Sequence, residues 1–543
     1  MQLTKTLCGG LMLGLLGGCS LFQSQDKPAR PNIILIMADD MGYSDIGCFG
    51  GEISTPNLDN LAKHGVRFKQ FYNSARCCPT RASLLTGLNP HQTGMGWMTA
   101  FDYRQFGYTG ELNNNCVTIA EVLKSAGYSS YMAGKWHLTH YDHVTQAGPN
   151  NSWPMQRGFE KFYGTLRGSG SFFKPPSLTD GNTLIEAPDT DYYYTDAITD
   201  HVVEYMDDHI AAKPEDPFFM YVAYTAPHYP LHAKPEDIAK YRGKYLEGWE
   251  KLREQRFDRM KVMGLLPEDT KLSPLSERSY AWDSLTDAQK DEMDKRMAIY
   301  AAQVDNMDQN IGRILENLKR QGKLDNTLIF FLSDNGASPE PRSKKDKSLE
   351  AMGTEASFES YGAPWANASN TPFRLFKSWI HEGGVITPLI VHWPKHVQPI
   401  DKALDTPGSI TDIMATCVEV SGAKYPKKYQ GEKIPAMVGT SLMPALEGKE
   451  FDRGPICWEH EANMGIRDGK WKLVSVSNKE EPYLGKLELY NIEEDRSEMN
   501  DLADQNPKKV KELYEKWTNW AEQNHVLPLD GSTYSVKAKK YSR

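Results

Sequence analysis

Two adjacent thiols open the run Cys77-Cys78-Pro79-Thr80-Arg81-Ala82-Ser83-Leu84-Leu85-Thr86-Gly87. A thiol can serve as a nucleophile, a redox group or a small buried hydrophobe, and the pair alone leaves these open. Oxygen ligands are concentrated elsewhere, in Asp39-Asp40 and Asp334-Asn335. Taken singly, such a pair reads as a turn or a helix cap. Together they offer four hard oxygens, which suit Ca²⁺ or Mg²⁺ over softer metals, and Ca²⁺ tolerates irregular geometry better. Lys135 and His137 stand in Gly134-Lys135-Trp136-His137, His228 follows Ala226-Pro227, and Lys377 lies five residues before Glu382-Gly383-Gly384. A lone lysine is more often solvated surface and a lone histidine structural, so only the ordered set bears on function.

The elements that carry these residues alternate between strand and helix. Asn32–Met37 and Thr327–Leu332 are short, β-branched or aromatic apolar runs, and each opens into one of the two oxygen-rich pairs. Pro217–Ala223 precedes His228, and Ile386–Val391 is a further run of the same kind. Such runs are strands buried on both faces. Pro56–His64 and Val117–Ala126 read as helices ending before Gly65 and Gly127. Met297, Tyr300, Val304, Met307, Ile311, Ile314 and Leu318 recur at helical spacing, a core stripe and not a ligand site. Pro79 and Thr80 sit in the first turn of a helix beginning at the cysteine run, which would aim backbone N–H groups at an anion. The pattern is α/β, a sheet with helices on both faces, where ligands gather at the carboxyl ends of strands.

With its cysteine, proline, arginine and Leu-Thr-Gly spacing, the run resembles the signature of type I, formylglycine-dependent sulfatases. These are arylsulfatase-like members of the alkaline phosphatase superfamily. Cys77, Pro79, Arg81, Leu85, Thr86 and Gly87 match, whereas Cys78 has no proline two residues beyond it. The acid pairs, Lys135-x-His137, His228, Lys377, Gly158-Phe159-Glu160 and Asn370-Thr371-Pro372-Phe373-Arg374 extend the likeness from about Pro31 to the C-terminal region. The resemblance implies a large mixed, mostly parallel sheet flanked by helices on both faces, with a smaller C-terminal domain of short antiparallel sheet and terminal helix. It also implies that a maturation enzyme oxidises Cys77 to 3-oxoalanine (formylglycine). The aldehyde hydrate then carries two hydroxyls, one to attack sulfur and one whose deprotonation releases sulfate again. One Ca²⁺ would be held by Asp39, Asp40, Asp334 and Asn335 together with residue 77. Lys135, His228 and Lys377 would bind the sulfate, and Arg81 would bind and orient the formylglycine. His228 would be the acid for the leaving alcohol and His137 the base.

The bulk properties set the context. The 543 residues suit one large domain plus a smaller one, and the net charge of -9 argues against nucleic acid as partner. Residues 1–19 read as a signal peptide whose Leu16-Gly17-Gly18-Cys19 ending resembles a bacterial lipobox, with Cys19 lipidated. Residues 20–30 would then be a tether, 31–450 the catalytic domain and 451–543 the C-terminal subdomain. That implies a lipid anchor in a bacterial envelope, periplasmic or at the cell surface. The remaining cysteines form no disulfide scaffold. Pro455–Trp458 reads as a strand, Asp468-Gly469 as a hairpin turn and Pro507 to about Gln523 as a helix. Met95–Asn115, rich in aromatics, and Ser338–Ser369 are expected to shape the substrate pocket, and Leu231–Leu275 to form a charged surface helix pair. The expected reaction is removal of O-sulfate from a sulfated saccharide. The alternatives are a phosphonate monoester or phosphodiester hydrolase, and a non-catalytic glycan-binding lipoprotein.

Overall fold

Side chains alternate across the strand Asn32–Ala38: Ile34, Ile36 and Ala38 enter one apolar core, Ile33, Leu35 and Met37 the other. A strand that buries every side chain needs cover on both faces, which is why the run has no polar alternation. Each large aliphatic side chain buried this way contributes roughly 1.5–3 kcal/mol. The structure, a computed structural model, describes residues 30–188, 191–476 and 485–527. The lipobox, Cys19 and residues 1–29 of the leader and tether lie outside the described residues.

The large sheet has ten strands. In spatial order they are Gly408–Ser409, Val66–Tyr72, Ile386–His392, Thr327–Ser333, Asn32–Ala38, Phe218–Ala223, Ser129–Lys135, Lys161–Thr165, Leu178–Asp180 and Thr183–Leu184. The five from Thr327–Ser333 to Lys161–Thr165 run parallel. Ile386–His392 is antiparallel to both neighbours, and the last two strands are antiparallel as well. Tyr194–Ala212 and the 34-residue helix Asp287–Arg320 cover one face. Cys77–Thr86, Ile119–Lys124 and Asp412–Ser421 cover the other. The expected core stripe from Met297 to Leu318 is buried throughout. The helix that carries it begins ten residues before Met297, where Thr286 and Gln289 close a capping box.

A four-stranded antiparallel sheet, Ile456–His460, Asn463–Asp468, Trp471–Ser475 and Leu487–Asn491, forms the C-terminal part. The expected hairpin turns at Gly469, whose φ of 57° suits a residue without a Cβ. Met464, Ile466, Leu473 and Leu489 pack under the helix Pro507–Gln523 through Leu513, Trp517 and Ala521. Trp458, Val474 and Tyr490 on the opposite face join the core of the large sheet. Buried charge joins the two parts: Lys472 donates to Glu382 at 2.8 Å and lies 2.9 Å from Glu498, and Tyr72 donates to Glu382 at 3.0 Å. A charge this deep persists because each partner is matched, and removing one partner typically costs about 3–5 kcal/mol.

Two expectations are corrected. The Leu231–Leu275 insertion does contain two helices, Pro235–Ala239 and Gly248–Val262, but it is not a purely surface pair. Arg256 is fully buried and donates to Glu52 at 2.8 Å and Asp45 at 2.7 Å, which ties the insertion to the loop after the first strand. In Met95–Asn115, Trp97 and Tyr108 are not free for a sugar ring. Trp97 is buried against His460 at 4.9 Å and Tyr108 donates to Glu459 at 3.2 Å, so both serve the seam with the C-terminal sheet. Among the described residues no helix is long and apolar enough to cross a membrane.

Candidate active site

The parallel ladder delivers the site residues to one edge. Asp39 N–H donates to Ala226 carbonyl at 3.1 Å and Asp334 N–H to Ala38 carbonyl at 3.2 Å, so the ladder carries on just past the strand ends. Lys135 is the last residue of its strand. Lys377 N–H donates to Ala337 carbonyl at 3.2 Å and Ser378 N–H to Ala75 carbonyl at 2.8 Å, which pins the lysine loop between the Asp334 turn and the cysteine helix. Asp40 and His137 hold left-handed backbone conformations, φ 64° and 56°. Such strain costs on the order of 1–3 kcal/mol per residue and persists where the surroundings fix it.

Asp39, Asp40, Asp334, Asn335, Arg81, Lys135 and Lys377 are all buried. Lys135 Nζ donates to Asp39 Oδ2 at 2.6 Å, and Lys377 Nζ lies 2.7 Å from Asp40 Oδ1. Asn335 Nδ2 donates to the same Asp40 oxygen at 2.7 Å. Burial, with Asp334 adding to it, holds the Asp39 carboxyl well above its usual range. Burial also raises Asp334, whereas for Asp40 the His228 ring, the Lys377 charge and the hydrogen bonds from Lys377 and Asn335 outweigh burial and lower it. Three carboxylates are therefore crowded where water cannot screen them. Asp39 Oδ1 and Asn335 Oδ1 are buried with no hydrogen-bond partner. Two orphaned hard oxygens among three carboxylates fit a divalent hard cation. Asp39, Asp40 and His228 also bring one ligand atom each to within 4.8 Å of one another.

Cys77 begins the helix Cys77–Thr86, every residue of which is buried, and Pro79 lies in its first turn as expected. Its thiol groups with Cys78 and His137, and Cys78 Sγ is 3.3 Å from His137 Nε2. A hydrogen bond from Cys78 holds the Cys77 thiol well below the usual thiol range, with burial opposing and Lys135 and His137 assisting. Arg81, one turn later, donates to Asp334 Oδ2 at 2.8 Å and to the Lys135 carbonyl at 2.9 Å. It therefore fixes a metal-ligand candidate and the lysine strand, and it reaches residue 77 through its charge.

His228 shows which nitrogen holds its proton. Nδ1 faces the Tyr229 carbonyl at 2.6 Å, and a carbonyl only accepts, so Nδ1 carries the hydrogen. Nε2 stands between two groups, 3.3 Å from Asp40 Oδ2 and 3.4 Å from Lys377 Nζ. Burial keeps both imidazoles neutral, His228 at about 3 and His137 at about 4. His228, the expected acid, thus stands beside Lys377 and Asp40.

Several residues at this edge escaped the sequence reading. Glu340 accepts from Tyr229 Oη at 2.7 Å, Arg342 at 2.7 Å and Arg76 at 3.1 Å. Arg76 also reaches Glu461 of the C-terminal sheet at 2.6 Å. Glu340 lies six residues after Asp334, inside the Ser338–Ser369 stretch expected to shape the pocket, but nothing in the sequence singled it out within that stretch. Tyr141, Arg167 and Gly168, beside His137, had no sequence signal beyond their chain position.

A family model described as Sulfatase matches residues 31–423, and one described as N-sulphoglucosamine sulphohydrolase, C-terminal, matches residues 373–523. An arylsulfatase of Klebsiella aerogenes is 36% identical, over 83% of this chain and 98% of its own length. An uncharacterized sulfatase of Schizosaccharomyces pombe is 34% identical, over 93% of this chain and 96% of its own. The crystal structure of Ps i-CgsB in complex with k-i-k-neocarrahexaose superposes with a TM-score of 0.65 at 26% identity, covering 91% of this chain and 93% of that one.

Proposed function

This chain belongs to the sulfatase family and is a sulfuric ester hydrolase, and we propose that it removes O-sulfate from a sulfated saccharide, using Cys77 matured to formylglycine and one Ca²⁺. The observation that carries the reading is the buried edge itself. Asp39, Asp40, Asp334 and Asn335 crowd oxygens where a dication belongs, with Cys77 at a helix start and Lys135 and Lys377 beside it. The saccharide class is supported by the oligosaccharide bound to the similar Ps i-CgsB. Family membership as a hydrolase answers the binding-only alternative. A lipid anchor at Cys19 in the cell envelope belongs to the same proposal and would place the enzyme where sulfated glycans are met.

Asp39, Asp40, Asp334 and Asn335 would hold the ion, which supplies Lewis-acid polarisation of the sulfate. The matured residue 77 supplies the nucleophilic hydroxyl. The chain's other groups do the rest. Lys135 and Lys377 neutralise sulfate oxygens, each charge worth on the order of 4 kcal/mol at contact for an effective dielectric near ~20. Lys377 donates toward His228 Nε2, and that pair delivers a proton to the leaving oxygen. His137, neutral and beside residue 77, accepts the proton that restores the resting site.

Neutral His137 gives a signed pH dependence. As pH falls through about 4 the buried ring takes up a proton and can no longer act as base, so kcat/KM should fall there. The residual activity of His137→Gln should lack that acid limb, and an unchanged limb would remove His137 from the role. Folding stability should follow the same sign. The ring is neutral when folded and near 6.5 when free, so stability is full above 6.5 and is lost as pH falls toward about 4.

The direct test is sulfate release from position-defined sulfated galactose, hexosamine and uronic-acid saccharides, with matched phosphate and phosphonate esters alongside. Mass spectrometry first confirms the aldehyde at residue 77. Release from one sugar position supports the proposal. Cleavage of the phosphorus esters alone, by fully matured protein, would move the function to the phosphonate monoester or phosphodiester class.

A further inference from the structure

Each active-site imidazole carries a tyrosine, and each tyrosine carries an arginine. His137 faces Tyr141 at 6.4 Å with planes 28° apart, and the Arg167 guanidinium lies over that tyrosine at 5.3 Å. His228 meets Tyr229 at 4.2 Å, and the Arg342 guanidinium lies over that ring at 5.5 Å. Both arms start on a buried histidine; one ends on the exposed Arg167 and the other on the half-buried Arg342. The two ends differ in charge. Arg342 is already matched by Glu340 at 2.7 Å. Arg167 has no carboxylate partner among the described residues.

The position of Arg167 is fixed by the sheet. His137 N–H donates to the Leu166 carbonyl at 3.2 Å, and the Arg167 N–H donates to Ser177 Oγ at 3.0 Å. Gly168 presses against the His137 ring so closely that a Cβ there would lie 2.1 Å from Cε1. Arg167 thus sits beside His137, with its backbone tied to Ser177. Tyr141 also senses both ends of its arm. Burial raises its hydroxyl to about 12, with Cys78 and Cys77 adding and Arg167 opposing.

We propose that Arg167 binds a second anionic group of the substrate, so that the enzyme prefers a polyanionic saccharide carrying a carboxylate or further sulfate near the scissile one. This rests on the saccharide sulfatase reading above. A planar guanidinium placed over a tyrosine ring at 5.3 Å can make bidentate contact with either group. The chain is net acidic at -9, so a polyanion receives no general attraction and needs such a local cation. Arg342, paired with Glu340 at 2.7 Å, offers no uncompensated charge to a second anion.

The test uses the full matured chain and sugars differing in one group: monosulfated, the same with a carboxylate, and the same with a second sulfate. Arg167→Gln should lower the ratio of kcat/KM for dianionic over monosulfated substrate roughly tenfold or more, mostly through KM. Arg167→Lys should recover part of it, and Arg342→Gln should move it far less. Loss confined to one dianionic compound assigns the group as carboxylate or sulfate. An unchanged ratio in Arg167→Gln, or an equal fall in Arg342→Gln, overturns the proposal. Calorimetric Kd values for the same compounds on Cys77→Ala read the Arg167 contribution without turnover. Absent sulfate release would therefore count against the function and leave the arginine decided by binding.

Discussion

Cys77→Ser should lose multiple turnover by roughly 10³-fold or more while remaining folded. Residue 77 opens a helix whose every side chain is buried, and serine fills nearly the same space without disturbing the turn. It keeps one hydroxyl, which Lys135 and the neutral His137 can still assist. It lacks the second hydroxyl of an aldehyde hydrate, so a sulfate transferred to it has no internal route of departure. Steady-state sulfate release together with intact-protein mass distinguishes the cases. The expected variant releases one desulfated saccharide per chain and no free sulfate, and it gains the mass of one sulfo group. Near-normal turnover by Cys77→Ser would mean that a simple hydroxyl or thiol suffices, and the formylglycine reading would fail.

Asp39→Asn should lower activity by roughly 10²-fold or more and erase the response of thermal stability to Ca²⁺. Asn keeps the shape of the side chain and an oxygen for Lys135, which now donates at 2.6 Å. What it removes is the charge. In the metal-free protein that charge is unwelcome: burial and the neighbouring Asp334 already push Asp39 toward its neutral form. The metal-free variant should therefore melt no lower than the metal-free wild type. Adding Ca²⁺ reverses the comparison, because a ligand at one hundred times its Kd stabilises the wild type by about 2.7 kcal/mol. Thermal unfolding with chelator and then with excess Ca²⁺ reads both effects. A wild-type midpoint indifferent to chelator and Ca²⁺, or a variant that responds like it, would remove the ion from this site.

Much of the site could be read in advance because its chemistry is concentrated in short runs. Asp39-Asp40 and Asp334-Asn335 follow apolar strands, and in a parallel sheet adjacent strand ends are adjacent in space. The long helix announced itself by apolar spacing, and the C-terminal hairpin by Gly469. The aromatics of Met95–Asn115 misled because composition cannot say which ring is covered: Trp97 is spent on His460. Arg256 misled for the same reason, since a charged residue on a charged helix looks exposed until Glu52 and Asp45 come to meet it.

The sequence by itself determined the family, the α/β alternation and the identity of the groups that could touch a sulfate. Those depend on residue type and local spacing, which a chain carries before it folds. Only the tertiary structure decided how these groups stand toward one another. It directs Arg81 to Asp334 and the Lys135 carbonyl, joins Lys377 to His228, and braces the Lys377 loop through Glu382 on Lys472 of the distant C-terminal sheet. Among the described residues it also left Arg167 without a carboxylate while giving Arg342 its Glu340. Those pairings join residues far apart in sequence, and the low dielectric of a buried site makes each one strong only once the fold has closed around it.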